Sequence, residues 1–167
     1  MRSAIIAAVA AVMALPAAGL ATSALAADPV VTVSYGPKLQ RKIDEYGARD
    51  VDRLAEELRS TVTRQVAAAP SFEDARIDLV LEDVVPNRPT MQQMSDKPGL
   101  SYESFGIGGA SITGVVTTAD GVSRPISYSW YETDIRWAWP SGTWSDAEQT
   151  FDRFAQRLAR GQSLDRP

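Results

Sequence analysis

The chain contains no cysteine and no histidine. Without an imidazole or a thiol it cannot assemble a Ser-His-Asp or Cys-His nucleophile, an imidazole base, or a zinc site of thiolates and imidazoles. Nor can it form a disulfide or carry a lipid on cysteine, so its stability has to come from core packing alone. Lysine is scarce too, with three residues against fourteen arginines. A Ser-Lys pair would have to recruit Lys38, Lys42 or Lys97, and each falls in a stretch that reads as loop with no serine motif beside it. Positive charge is short overall: the formal net charge is −4 and the isoelectric point is near 4.9. Such a chain lacks the basic face that nucleic acid requires and the polybasic patch that docks on anionic lipid. Nothing in the sequence calls for a cofactor or a metal.

What is present begins with an export signal. Arg2 gives a short basic start, Ala4 to Leu15 is an unbroken apolar run, and Pro16 and Gly19 end it. Ala24-Leu25-Ala26 supplies the small-x-small pattern of a cleavage site, so residues 1–26 read as a signal peptide cut after Ala26. An uncleaved anchor is the alternative, because Ser3 to Ala27 carries no charge, but an Ala-rich run broken by proline makes a poor span. The mature chain is expected to be periplasmic or secreted, without a membrane span. Cleavage leaves 141 residues, enough for one domain with its own core, and removing Arg2 takes the formal charge to −5.

The mature sequence is organised around Ala110 to Asp134. Two β-rich runs there flank Asp120-Gly121, a strong hairpin signal because glycine accepts positive φ without steric cost. Ile126, Tyr128 and Trp130 alternate on one face of the second run, which predicts that this face is buried. Upstream, Val30 to Tyr35 reads as a short strand, and Lys38 to Tyr46 as a connector. Val51, Leu54, Ala55, Leu58, Val62 and Val66 form an apolar stripe at helical spacing, with Asp50 as the expected cap and Pro70 as the stop. Ile77, Leu79 and Leu81 alternate with polar neighbours as a second strand. Pro86, Pro89 and Pro98-Gly99 then frame what reads as a long irregular, mobile segment, Asn87 to Ser104. A last helix is predicted from Ser145, where Ser145 and Glu148 fit a capping box, with Ala147, Phe151, Phe154, Ala155 and Leu158 buried and Gly161 as its end. Residues 27–161 thus read as a single domain and 162–167 as a flexible tail.

The order β-α-β-β-β-α predicts a two-layer α+β fold, a sheet of about four strands with two helices on one face. If the first two strands are parallel neighbours, the first helix is the crossover between them. The signal peptide, the β-α-β core, the Thr113-Gly114-Val115-Val116 and Asp120-Gly121 hairpin and the amphipathic last helix resemble small exported α+β proteins of Gram-negative bacteria, many of them without an assigned function. The arrangement is also similar to envelope-complex domains that act by binding other proteins. The resemblance is architectural and transfers no functional residue.

Three groups of residues carry possible chemistry. Asp78 with Glu82, and Glu132 with Asp134, each share a strand face and could flank a glycosidic bond or hold a hard cation; alternating acids also simply mark solvated strand faces. Gly106-x-Gly108-Gly109 superficially suggests a phosphate loop, but Ser111 stands where the dinucleotide fingerprint needs glycine and a strand follows rather than a helix. All four tryptophans lie between positions 130 and 144. Trp130 continues the core alternation, whereas Trp137 and Trp139 share a parity beside Arg136, and Trp144 follows on the same connector. Rigid indoles with an arginine suit a protein partner or a sugar ring, and the alternative is that they cover the end of the sheet. The sequence therefore reads as a non-catalytic exported domain that binds an envelope protein or cell-wall component through Arg136, Trp137, Trp139 and Trp144, together with the proline-rich segment. The second reading is a carboxylate-dependent enzyme, or a binder, acting on cell-wall glycan.

Overall fold

A computed structural model of the chain describes residues 27–137 and 142–164. The expected signal peptide, the stretch that holds Trp139, and the last three residues of the expected tail lie outside the described residues. Strand β1 (Val30–Tyr35) runs through two single-turn helices, α1 (Pro37–Gln40) and α2 (Ile43–Tyr46), into the long helix α3 (Ala48–Val66). Strand β2 (Arg76–Val85), the short helix α4 (Met91–Asp96), strands β3 (Gly109–Thr117) and β4 (Ser123–Tyr131), and helix α5 (Ser145–Ala159) follow. One sheet is formed in the order β1-β2-β3-β4, with β1 parallel to β2 and the other neighbours antiparallel. This is the expected α+β architecture, and α3 is the connection between its parallel pair.

The two long helices share one face of the sheet because each has one apolar stripe to bury. Helix α3 packs on β1 and on α5, and α5 packs on β3 and β4. Leu54, Leu58 and Val62 from α3 meet Phe151, Phe154 and Leu158 from α5 over Ile77, Leu79, Leu81 and Ile112 from the sheet, in one core. Register makes this possible: Ile77 pairs with Val116, Leu81 with Ile112, and Ile112 with Tyr128, so the alternation of each strand points the same way. The opposite face of the sheet carries mostly polar side chains, among them Thr32, Ser34, Asp78, Glu82, Thr113, Ser127 and Ser129, with Val80 and Val115 between them.

Local chemistry departs from expectation at the helix ends. Asp50 does not cap α3; Gly47, at φ 92°, holds that position because a left-handed residue is needed where α2 turns into α3. Ser145 does not cap α5 either. Its Oγ accepts the Gly142 N–H, Glu148 pairs with Arg53, and Trp144 becomes the N-cap, its carbonyl accepting the Glu148 N–H. The connector Lys38 to Tyr46 is the two helical turns already named, with Leu39 and Tyr46 buried. At the C-terminus of α5, Gly161 (φ 62°) donates to Leu158 and Gln162 to Arg157, a Schellman closure. Leu164 beyond it is buried in the core, so the chain remains held to that residue.

The segment expected to be irregular also has structure. Thr90 and Gln93 form a reciprocal capping box that starts α4. Asn87, Arg88 and Thr90 are buried at its root, and the Arg88 guanidinium lies 5.0 Å from the Tyr102 ring centre and 6.0 Å from that of Phe105. A buried arginine flanked by two rings ties the far side of the loop back to its root.

Candidate functional site

Because β2, β3 and β4 are antiparallel neighbours, the end of β2, the start of β3 and the end of β4 come to the same edge of the molecule. The proline-rich segment leaves β2 there, and the tryptophan connector leaves β4 there. Asn87 and Asp146 fasten the two. The Asn87 side-chain amide donates to the Asp146 carboxylate at 2.5 Å, the Asp146 N–H donates back to Asn87 Oδ1 at 2.9 Å, and the Gly108 N–H donates to the same carboxylate at 2.9 Å. The Asn87 N–H donates to the Thr143 carbonyl at 2.8 Å. Both side chains are buried, and each of these bonds satisfies a group that would otherwise be costly to desolvate. The fold therefore brings the roots of the two segments together.

The four predicted contact residues do not stay together. Trp144 is 3% exposed, with its ring edge-on to Tyr46 at 5.6 Å and its indole N–H directed at Asp50, so it belongs to the core. Trp137 is 68% exposed at the end of a single 3-10 turn, Ile135–Trp137. Arg136 stands beside it on that turn, held by Asp134 through Nε at 2.9 Å and Nη2 at 2.5 Å. That hydrogen-bonded guanidinium keeps the Asp134 carboxyl below its ordinary value. Trp139 lies outside the described residues. Trp144 is the N-cap of α5, whose packing on the core buries its ring, whereas Trp137 ends the 3-10 turn after β4.

Trp137 lines a cleft of about 380 Å³ with Glu132, Ser145, Asp146, Gln149 and Arg153. Arg153 was not singled out from the sequence, yet its guanidinium stacks 4.1 Å above the ring of the half-buried Trp130, close enough for a cation–π contact. Arg157, one turn further along α5, lies 5.9 Å from the Tyr128 ring centre. The spacing Gln149-Arg153-Arg157, four residues apart along one flank of the last helix, was the available signal.

The carboxylate pairs are engaged otherwise. Asp78 is bonded by Arg76 and by the Thr32 hydroxyl, and those bonds hold its pKa down. Glu82 accepts from Thr113 on the open sheet face. Glu132 Oε1 accepts the backbone N–H of Thr133 at 2.7 Å and of Asp134 at 3.0 Å, folding the chain after β4. A general acid needs a raised carboxyl, and Asp78 and Asp134 are both lowered. The glycine run serves strand entry: a Cβ on Gly109 would stand 2.3 Å from the Trp130 carbonyl oxygen, so only glycine permits that approach.

A second polar cluster was not anticipated. Asp83, buried just past a bulge in β2, accepts ion pairs from Lys38 at 2.5 Å and Lys42 at 2.7 Å. Burial is the largest influence on the Lys42 ammonium and opposes its charge, but the Asp83 hydrogen bond, the Tyr46 phenol and the Asp83 charge together outweigh it and raise its pKa. The Tyr131 phenol beside them is pushed up to about 12 by burial and then by the charge of Asp83. A raised lysine is a poor nucleophile or base, so this cluster fastens α1 and α2 to the sheet rather than activating a lysine. Among the described residues no three His, Cys, Asp or Glu side chains are grouped to hold a metal, and no helix is long and apolar enough to cross a membrane.

No protein-family model matches the chain, and no curated protein matches it either. Among solved structures, the chain is similar to one described as "a putative lipoprotein from Caulobacter crescentus", with 11% identity over 80% of this chain and 83% of that one. The TM-score of that match is 0.32, too low to carry an argument about fold or role.

Proposed function

We propose that the chain is an exported, non-catalytic domain that binds another component of the cell envelope through the end of the molecule where the loop after β2 and the turn after β4 meet. One observation carries the proposal: exposed large apolar side chains concentrate there. Met91, Leu100, Tyr102, Phe105 and Ile107 are exposed on the first segment, and Ile135 and Trp137 on the second. Only Val30, Val115 and Val122 are comparably exposed elsewhere among the described residues. Concentrated exposed apolar area of this kind is what a partner surface uses and what an isolated domain otherwise avoids. Trp137 and Trp139 are the candidate aromatic contacts, with Arg136 preceding Trp137 in the chain, while Trp144 is buried in the core.

The test is a crosslinking pull-down of the tagged mature protein from its native host beside the Trp137→Ala/Trp139→Ala variant. The expected result is a partner held by the parent protein and lost by a variant whose melting temperature is unchanged. Equal capture by both would sink the proposal, and so would no specific capture by the parent protein.

A further inference from the structure

Strand β4 is an edge of the sheet, and the hydrogen bonds beside it fix which of its backbone groups face outward. The Glu132 N–H donates to the Gly108 carbonyl, and the Thr118 N–H donates to that of Val122. With Tyr131 opposite Gly109, these bonds assign the even-numbered residues of β4 to the ladder with β3. The odd-numbered residues therefore direct their N–H and C=O groups to the open side. Pro125 is one of them, where its missing N–H costs nothing. Ser127, Ser129 and Tyr131 follow, three alternate residues whose outward N–H and C=O groups bond to none of the other described residues.

The flank of this edge is basic in an acidic protein. Arg153 and Arg157 lie over Trp130 and Tyr128 on the helix side of β4, and Arg124 and Arg160 stand toward its far end. The ion pairs among the described residues use none of these four arginines. The acids on the other flank of α5 turn toward α3, where Glu148 meets Arg53. Glu132 also lines the Trp137 cleft with Arg153, its Oε1 already holding two backbone N–H groups. The edge is bounded at one end by that cleft. At the other, Pro125 and the docked residues Gly161 to Leu164 enclose a smaller cleft of about 200 Å³.

From this geometry we infer that the Ser127–Tyr131 edge of β4 takes up an extended acidic segment of a partner protein as a fifth strand. A strand added there would lie about 4.8 Å beyond β4. Its alternate side chains would project to the helix side, where Arg153 stacks on Trp130 and Arg157, whose Nη1 donates to the Ser163 carbonyl at 3.1 Å, stands 5.9 Å from the Tyr128 ring centre. Backbone pairing supplies affinity in such strand addition, and the flanking side chains supply selectivity. Acidic side chains at every second position are the complement to this edge. The inference rests on the reading that this end of the molecule binds a partner, and it specifies the chemistry of that partner.

The probe is a synthetic peptide as long as β4, nine residues, alternating Glu with Thr, beside the same peptide with Lys for Glu. Binding is followed by titration calorimetry and by the amide NMR shifts of the mature protein. The Glu peptide is expected to bind at least about tenfold more tightly than the Lys peptide, and to shift and protect the amides of Ser127, Ser129 and Tyr131. Arg153→Ala with Arg157→Ala is expected to remove that preference, and Arg153→Glu with Arg157→Glu to reverse it. Ser129→Pro removes one outward N–H without touching the ladder to β3 and is expected to abolish binding; should it unfold, the charge-reversed variant stands in its place. Equal binding of both peptides, or shifts confined to other strands, would overturn the inference. A host partner lost with Trp137→Ala/Trp139→Ala but kept by the charge-reversed variant would overturn it too, while leaving the binding proposal standing.

Discussion

Strand β1 is six residues long, and the carbonyl at its end, Tyr35, is taken by the Gln40 side chain at 2.8 Å; strand β4 is nine residues long, and among the described residues nothing covers its last three outward-facing residues in this way. The surroundings differ in sign as well. Asp52 accepts from the Tyr35 hydroxyl, Asp78, itself paired with Arg76, from Thr32, and Glu82 packs against Gly36, so beside β1 these three acids face one arginine. Around β4 the arginines of α5 lie over aromatic rings. An open edge is a liability that proteins blunt by length, charge or cover. Here one edge is short, acidic and partly covered by its own chain, and the other is longer and basic. If the inferred acidic strand exists, it would be disfavoured at the first edge and drawn to the second, so the proposal implies one docking edge rather than general stickiness.

That comparison presumes a common platform under both edges, and the largest expected effects test it. Leu58 is buried in α3 on the β1 side, and the Phe154 ring of α5 lies 6.0 Å from that of Tyr128 in β4. Leu58→Ala and Phe154→Ala should each lower unfolding free energy by about 2–5 kcal/mol in urea titration, because each leaves a cavity in a close-packed core. A neutral result for either would mean that one edge stands on something other than the shared core.

The two described tryptophans beyond β4 give the next contrast. Trp144→Ala should cost about 3–5 kcal/mol, since it empties the site against Tyr46. Trp137→Ala should stay within about 0.5 kcal/mol, as expected for an exposed residue away from the core. If Trp137→Ala were as costly as Trp144→Ala, the apolar surface beside the β4 edge would be structural cover and unsuited to a partner. Between these lies Arg153→Ala. Losing the stack on Trp130 should cost about 0.5–1 kcal/mol, read by thermal melting, with no change at the β1 edge.

How far all this could be read from the sequence depended on the period of the pattern. Both long helices and all four strands announced themselves through alternation or helical stripes, because each has one buried face. Elements that bury little escaped notice. Helices α1 and α2 are single turns whose only buried apolar anchors are Leu39 and Tyr46, too few to set a period. The Thr90-x-x-Gln93 box was visible but lay among prolines, which pointed to irregular chain. Caps were misplaced because Asp50 accepts from a tertiary partner, Trp144, that a local reading cannot supply, while Ser145 accepts from Gly142 just upstream instead of from its own helix. For the candidate contacts, the sequence grouped Trp144 with Arg136, Trp137 and Trp139 because all lie on one connector, and position along a connector does not reveal that the Trp144 ring is buried. The Arg153-Arg157 row was hidden for a different reason: it becomes a flank of β4 only when the last helix lies on the sheet.

The smallest expected effect is at alkaline pH, where the two edges share one feature. Tyr35 ends β1 and Tyr131 ends β4, and both phenols are pushed up to about 12. Burial leads in each case, followed for Tyr35 by the hydrogen bond to Asp52 and its charge, and for Tyr131 by the charge of Asp83. A raised phenol means that the fold favours the neutral form. Its contribution is complete below the ordinary value of 10.0 and is lost as pH rises from there through about 12. Both rings are partly exposed, so solvent screening keeps the stability term small, and ultraviolet titration is the better readout. Asp52→Asn should bring the Tyr35 phenol part of the way down, because burial remains, and leave Tyr131 where it is. A shift of both tyrosines in that variant would show that the charges of one edge reach the other, and the two could then no longer discriminate a partner independently.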